Sequence, residues 1–200
     1  MQLRTDRLLL RRWRLDDVKA VRAALDTSDA HLRPWVPFMK REPQDLDGTR
    51  SWVTWRMQQD AHTGHLCLAV CDADDQQLYG EVLLMAPTPE GMREVGYWID
   101  VRHVGKGIAG EAVRALVTTA WAYFEVSALE MHCASGNEAS IAIPRRLGFH
   151  LAKTEVQAFE NALGQLQDTE YWRSEAFDEE RQGIAPLVVT DADGAELLRR

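Results

Sequence analysis

Apolar positions along this chain recur with two periods, about 2 and about 3.6 residues. In "DRLLLRRW" (6–13), Leu8 and Leu10 share one face, which predicts a first strand. "LDDVKAVRAALD" changes to helical spacing. Val18, Val21 and Leu25 form its stripe, and Asp16 or Asp17 is placed to cap it. Two prolines interrupt "HLRPWVPF", which reads as a loop. "LDGTRSWVTWRMQQDAHTG" reads as a second helix carrying Trp52, Trp55 and Met57. Three strands follow in "HLCLAVCD", "LYGEVLLMAP" and "REVGYWIDV" (93–101), joined by the turns "DADDQ" and "TPEG".

A long helix is then predicted over about 107–124, with Ile108, Ala112, Ala115, Leu116, Thr119 and Tyr123 on its stripe. "ALEMHCAS" (128–135) is the next strand. "NEASIAIPRRLGF" is a short helix that Gly148 ends. Pro144 sits inside that helix, where it removes a hydrogen bond. "HLAKTEVQAFE" and "QDTEYWRSEAF" read as two last strands, whose exposed edge is a candidate for homodimer pairing. Residues 183–200 show no clear period beyond "PLVV" and read as a C-terminal extension or tail. The order βααβββαβαββ predicts an α/β fold, one mixed sheet flanked by helices.

Composition narrows the partners. A chain of 200 residues suits one domain and can bury a full core. The net charge of −8 argues against a nucleic-acid partner and favours a cationic substrate, although acidity also serves solubility. Cys67, Cys71 and Cys133 are odd in number and form no C-x-x-C pair. A disulfide framework is therefore not expected, and a reducing cytoplasm fits. The six histidines lack metal-ligand spacing, so no metal is expected. "MQLRTDRLLLRRWR" is too poor in apolar residues for a signal peptide or a membrane span.

"GKGIAG" (105–110) fits the dinucleotide fingerprint G-x-G-x-x-G. That chemistry also needs a first strand of a βαβ unit and a carboxylate ending the next strand. Here the preceding strands form an antiparallel meander, and the following strand ends in "CAS". No Gly-Lys-Ser/Thr occurs, so a nucleotide-triphosphate loop fails too. What remains is a strand running through glycines into a helix. The first helical N–H groups have no intrahelical partner, glycines admit a ligand close to them, and the helix dipole and Lys106 add positive charge. This reads as an anion site, suited to a pyrophosphate. The plain alternative is a tight turn with incidental glycines.

Arg102-His103-Val104-Gly105-Lys106-Gly107, continuing "IAGEAVRAL", resembles the acetyl-CoA motif Q/R-x-x-G-x-G/A of the GNAT acetyltransferases. "NEASIAIPRRLGF" is similar to that family's N-x-x-S/A…L-G-F segment. "LRTDRLLLRRWRLDD", "HLRPWVPF" and "DTEYWRS" resemble its RimJ/RimL branch, the ribosomal-protein N-terminal acetyltransferases. The resemblance covers roughly residues 2–180 and implies a GNAT domain over 1–182. It implies a mostly antiparallel sheet whose two central parallel strands splay to admit the pantetheine arm of acetyl-CoA. Backbone groups of Ile99 and Val101 would meet the pantetheine amides. Arg102, Val104, Gly105, Lys106, Gly107, Ile108 and Ala109 would hold the pyrophosphate. Asn137 and Ser140 would approach pantetheine and the thioester sulfur. Arg145 and Arg146 either reach the phosphates of CoA or are solvated surface arginines.

The implied reaction is direct attack of a primary amine on the acetyl group. An α-amine of pKa about 8 is roughly a tenth neutral at pH 7, and a free lysine far less, so a protein N-terminus asks less of a base. Candidate bases are Glu94 and Glu160, with Glu81 third; each is also an ordinary strand glutamate. Many family members place a tyrosine acid seven residues beyond the asparagine, where this chain has Pro144. Ser140 is the replacement donor. Trp35, Trp52 and Tyr97 are aromatic candidates for the acceptor cleft, and Trp52 with Trp55 equally suits a core. The acceptor classes are a ribosomal or other protein N-terminus, or a small amine such as an aminoglycoside or polyamine. A non-catalytic CoA-binding module is the third reading.

Overall fold

The computed structural model describes residues 1–59 and 64–200, so the end of the segment read as a second helix lies outside the described residues. Strands β1 (Gln2–Arg4) and β2 (Leu8–Arg12) lead into helices α1 (Val18–Leu32) and α2 (Leu46–Gln58). Strands β3 (Leu66–Asp72), β4 (Leu78–Leu84) and β5 (Met92–Ile99) follow, then α3 (Ile108–Tyr123), β6 (Ala128–Ala134) and α4 (Glu138–Arg146). The chain continues as β7 (His150–Glu160), β8 (Leu166–Ser174), α5 (Glu179–Gln182), β9 (Val188–Thr190) and β10 (Glu196–Arg199). All strands join one sheet in the order β10-β9-β1-β2-β3-β4-β5-β6-β8-β7. Every recorded pairing is antiparallel except β5 with β6.

Strand alternation divides the core between the two faces of this sheet. Leu8 and Leu10 pack with the buried stripe of α3, while Leu9 between them packs with Val18, Val21 and Leu25 of α1. The α3 stripe is buried as expected except at Tyr123, which ends the helix 46% exposed. Helix α1 runs past its expected end to Leu32, and the proline-broken segment forms a short 3-10 turn at Pro37–Arg41.

Strand β5 positions the site. It pairs in parallel with β6 over only Met92, Arg93 and Glu94. Beyond that, among the described residues, its strand partner is β4, while β6 turns to β8. The bonds from Met85 N–H to Glu94 C=O and from Asp100 N–H to Tyr79 C=O show that even-numbered residues of β5 face β4. By alternation, the backbone groups of Tyr97 and Ile99 face the widening gap.

The segment read as an extension or tail is the other departure. Residues 188–199 form β9 and β10, and β9 pairs with β1 through Leu3↔Val189. Leu187 and Val189 are fully buried in the α3 side of the core. Strands of three or four residues are too short to show a period, and this pairing joins opposite ends of the chain.

Candidate active site

The gap between β5 and β6 opens a cleft of about 910 Å³. At its outer end lies the glycine turn. Gly105 (φ +73°) and Gly107 (φ +78°) are both left-handed, a conformation that costs other residues energy. Gly107 caps α3, whose first internal bond runs from Glu111 N–H to Gly107 C=O at 3.0 Å. The N–H groups of Ile108, Ala109 and Gly110 therefore precede that ladder, and these residues line the cleft. Arg7, from the β1–β2 turn, lies beside them. Its Nε donates to Glu111 Oε2 at 2.7 Å and its Nη1 to Lys106 C=O at 3.2 Å. Arg114 and Arg146 add further cations to the lining.

At its inner end the cleft reaches a hydrogen-bonded trio. Asn137 caps α4, its Oδ1 accepting Ser140 N–H at 3.2 Å. Ser140 Oγ is 2.8 Å from the Tyr97 hydroxyl and 3.3 Å from Cys133 Sγ. Burial pushes the Cys133 thiol up to about 11. Burial also pushes the Tyr97 phenol well above its ordinary range, so both are protonated at neutral pH.

Side chains of β5 alternate, so Glu94 lies on the opposite face from Tyr97. Glu94 belongs to the last parallel register pair, facing Glu130, at the point where the strands part. His132 Nδ1 is 3.4 Å from Glu94 and its Nε2 is 3.0 Å from Glu130, which also accepts from Arg173 Nε at 2.7 Å. Burial, with the neighbouring Glu130 carboxylate, raises the Glu94 pKa, and His132 opposes the rise. Glu94 is not among the residues that line the cleft, and neither are the other two glutamates. Glu81 is fully buried between Trp13 Nε1 (2.9 Å), Trp98 Nε1 (3.3 Å) and Arg56 Nη2 (3.0 Å). Burial raises its pKa against those three donors. Glu160 is half-exposed, pairs with Lys40 at 3.1 Å and does not line the cleft.

The family model for the acetyltransferase (GNAT) domain matches residues 7–150. The chain belongs to the GNAT acetyltransferase family. Among curated relatives it is 45% identical over 123 residues to "Putative ribosomal N-acetyltransferase YdaF" of Bacillus subtilis (strain 168), covering 62% of this chain and 57% of that protein. Among solved structures it superposes on RimL, the ribosomal L7/L12 α-N-protein acetyltransferase in complex with coenzyme A. That match has a TM-score of 0.78 at 21% identity over 86% of this chain and 95% of RimL. The microcin C7 self-immunity acetyltransferase MccE, in complex with acetyl-CoA and AMP, gives a TM-score of 0.77 at 17% identity, over 86% and 94% of the two chains.

Against the GNAT pattern, the cleft lining gathers Ile99, Val104, Gly105, Gly107, Ile108 and Ala109 on one side. It gathers Asn137, Ser140 and Arg146 on the other. Four of the residues expected at CoA also have partners within the chain. Val101 N–H donates to Ser28 Oγ at 2.9 Å. Arg102 pairs with buried Asp100, and Lys106 Nζ donates to Arg102 C=O at 3.0 Å. Arg145 stacks on Trp172 at 5.1 Å. Among the acceptor candidates, Trp35 lines the cleft, close to Gly136. Trp52 instead packs edge-on to Trp13 at 5.2 Å, away from the lining. Tyr97 lines the cleft, but its hydroxyl serves Ser140. Arg7, Arg114 and His132 were not singled out in the sequence. Arg114 had a signal, since it stands two helical turns beyond Gly107 on the same face.

Proposed function

We propose that this protein is an acetyl-CoA-dependent N-acetyltransferase whose acceptor is the N-terminal α-amine of a ribosomal protein. One observation carries the reading. The unpaired backbone edge of β5 at Tyr97 and Ile99 runs into the α3 N-terminus within one cleft. An elongated ligand with amides at one end and phosphates at the other suits that edge. The amides would take the strand's place, and the pyrophosphate would meet the free N–H groups of 108–110, with Arg7, Arg114 and Arg146 nearby. The thioester would then lie against Ser140, and the amine would arrive from the Glu94 face. Glu94 accepts the amine's proton, and Ser140 donates to the departing sulfur. The ribosomal acceptor is supported by the names of YdaF and RimL.

The test is release of free thiol from acetyl-CoA in the presence of ribosomal-protein N-terminal peptides, aminoglycosides or polyamines. Turnover with free N-terminal peptides, and none with the same peptides already acetylated, is expected. Turnover with polyamines or aminoglycosides alone would move the acceptor to that class. Binding without turnover of any amine would leave a CoA-binding module.

A further inference from the structure

In an uninterrupted α4, the carbonyl of Ser140 would accept the N–H of residue 144. That residue is Pro144, which has none, so the helix leaves the Ser140 carbonyl without its partner. The Tyr97 hydroxyl occupies the vacant acceptor at 3.1 Å, and the same oxygen lies 2.8 Å from Ser140 Oγ. One phenol thus bridges both oxygens of one serine, across 43 residues of sequence. Cys133 Sγ, 3.3 Å from Ser140 Oγ, is the titratable neighbour on β6. Without a residue-144 N–H, a proton can rest on the carbonyl and turn to Oγ with little movement.

We propose that Tyr97 is the positioning residue that supplies Ser140 with its proton, an arrangement made by Pro144. The proposal rests on the acetyltransferase reading. As the amine nitrogen bonds to the acetyl carbon, the carbon–sulfur bond breaks and its electron pair stays on sulfur. The sulfur takes the Ser140 hydroxyl proton, and Ser140 takes that of Tyr97. The amine gives up its surplus proton to Glu94 and thence to water, and water restores the phenol. Atoms and charge balance with no further reactant.

The experiment compares the wild type with Tyr97→Phe, Ser140→Ala, their combination, and Tyr97→Phe/Pro144→Ala. Tyr97→Phe should lower kcat by about 10- to 100-fold and leave the KM for acetyl-CoA within about twofold. The combination with Ser140→Ala should be no slower than the slower single variant, because the two act as one chain. Pro144→Ala restores an N–H to the carbonyl. It should therefore recover melting temperature lost in Tyr97→Phe but not kcat. Recovery of kcat would overturn the proposal, since the phenol would then only be satisfying a carbonyl. So would fully additive losses.

A second readout needs no turnover. The ultraviolet absorbance of the CoA thiolate, titrated in the bound state, should appear at higher pH in Tyr97→Phe, where the thiolate's donor pair is weakened. An unchanged titration counts against the relay. Failure of the wild type to acetylate any amine would sink the functional reading, while this titration still judges Tyr97. Failure to bind CoA sinks both.

Discussion

As the proposed base, Glu94 would set the acid limb of activity through its surroundings, His132 among them. A carboxylate acts as a base only when ionised. Burial first, and Glu130 second, raise the Glu94 pKa. Activity should therefore be full above that raised pKa and fall as pH drops through it. Glu94→Gln should lower kcat by roughly 100-fold or more and flatten this acid limb. His132→Gln removes the imidazole whose interaction opposes the rise, so the limb should move to higher pH. A wild-type limb that survives in Glu94→Gln would remove Glu94 as the base. At this scale the sequence was informative where the backbone decides and silent where distant side chains do. Asn137 and Ser140 were legible because a cap and its helix are neighbours in sequence. Glu160 and Trp52 do not line the cleft, and which long-range partner each meets, Lys40 and Trp13, is not written in its local pattern. The bridge from Tyr97 to Ser140 joins two elements that no local pattern connects.

At the scale of elements, the turn from β5 into α3 combines backbone geometry with ligand chemistry. Gly105 and Gly107 need positive φ, and neither has crowding that would itself forbid a side chain. Gly105→Ala and Gly107→Ala should each cost about 1–2 kcal/mol through conformation alone and weaken CoA binding by displacing the N–H groups. Gly110 lies within the helix with open space around it. Gly110→Ala should raise stability by about 0.5–1 kcal/mol. Calorimetric melting and CoA titration of the three variants check both effects. Equal losses of affinity at all three positions would show that the ligand needs a glycine at 110 and not only its N–H. The helices and the long strands were legible because each buries one periodic face. Strands β1, β9 and β10 were not, since strands of three or four residues are specified by the neighbours they pair with rather than by their own pattern.

At the scale of the whole molecule, the two ends of the chain close the fold together. Strand β9 covers the outer edge of β1, an edge otherwise open to association. Leu187 and Val189 fill the core beneath it, and Gln182 just before them is held by Thr118 Oγ1, which donates to its carbonyl at 2.7 Å. Ile184, Ala185 and Pro186 continue from there along the cleft, so the same segment joins the core and the cleft wall. Deleting residues 183–200 removes two fully buried aliphatic side chains, worth about 1.5–3 kcal/mol each. For a domain of this size each kcal/mol shifts the melting temperature by about 2–4 °C, so a fall of roughly 6–24 °C is expected. Val189→Asp should reproduce most of that loss with the cleft wall still present, because a charge cannot be accommodated at that buried position. Ile184→Ser should weaken CoA binding with a smaller fall in melting than Val189→Asp, since Ile184 is only partly buried against the core. If the deletion melts within about 2 °C of the full chain, the segment is an appendage and the core ends before it. If all three variants lose affinity only in proportion to stability, the segment supports the fold but does not touch the ligand.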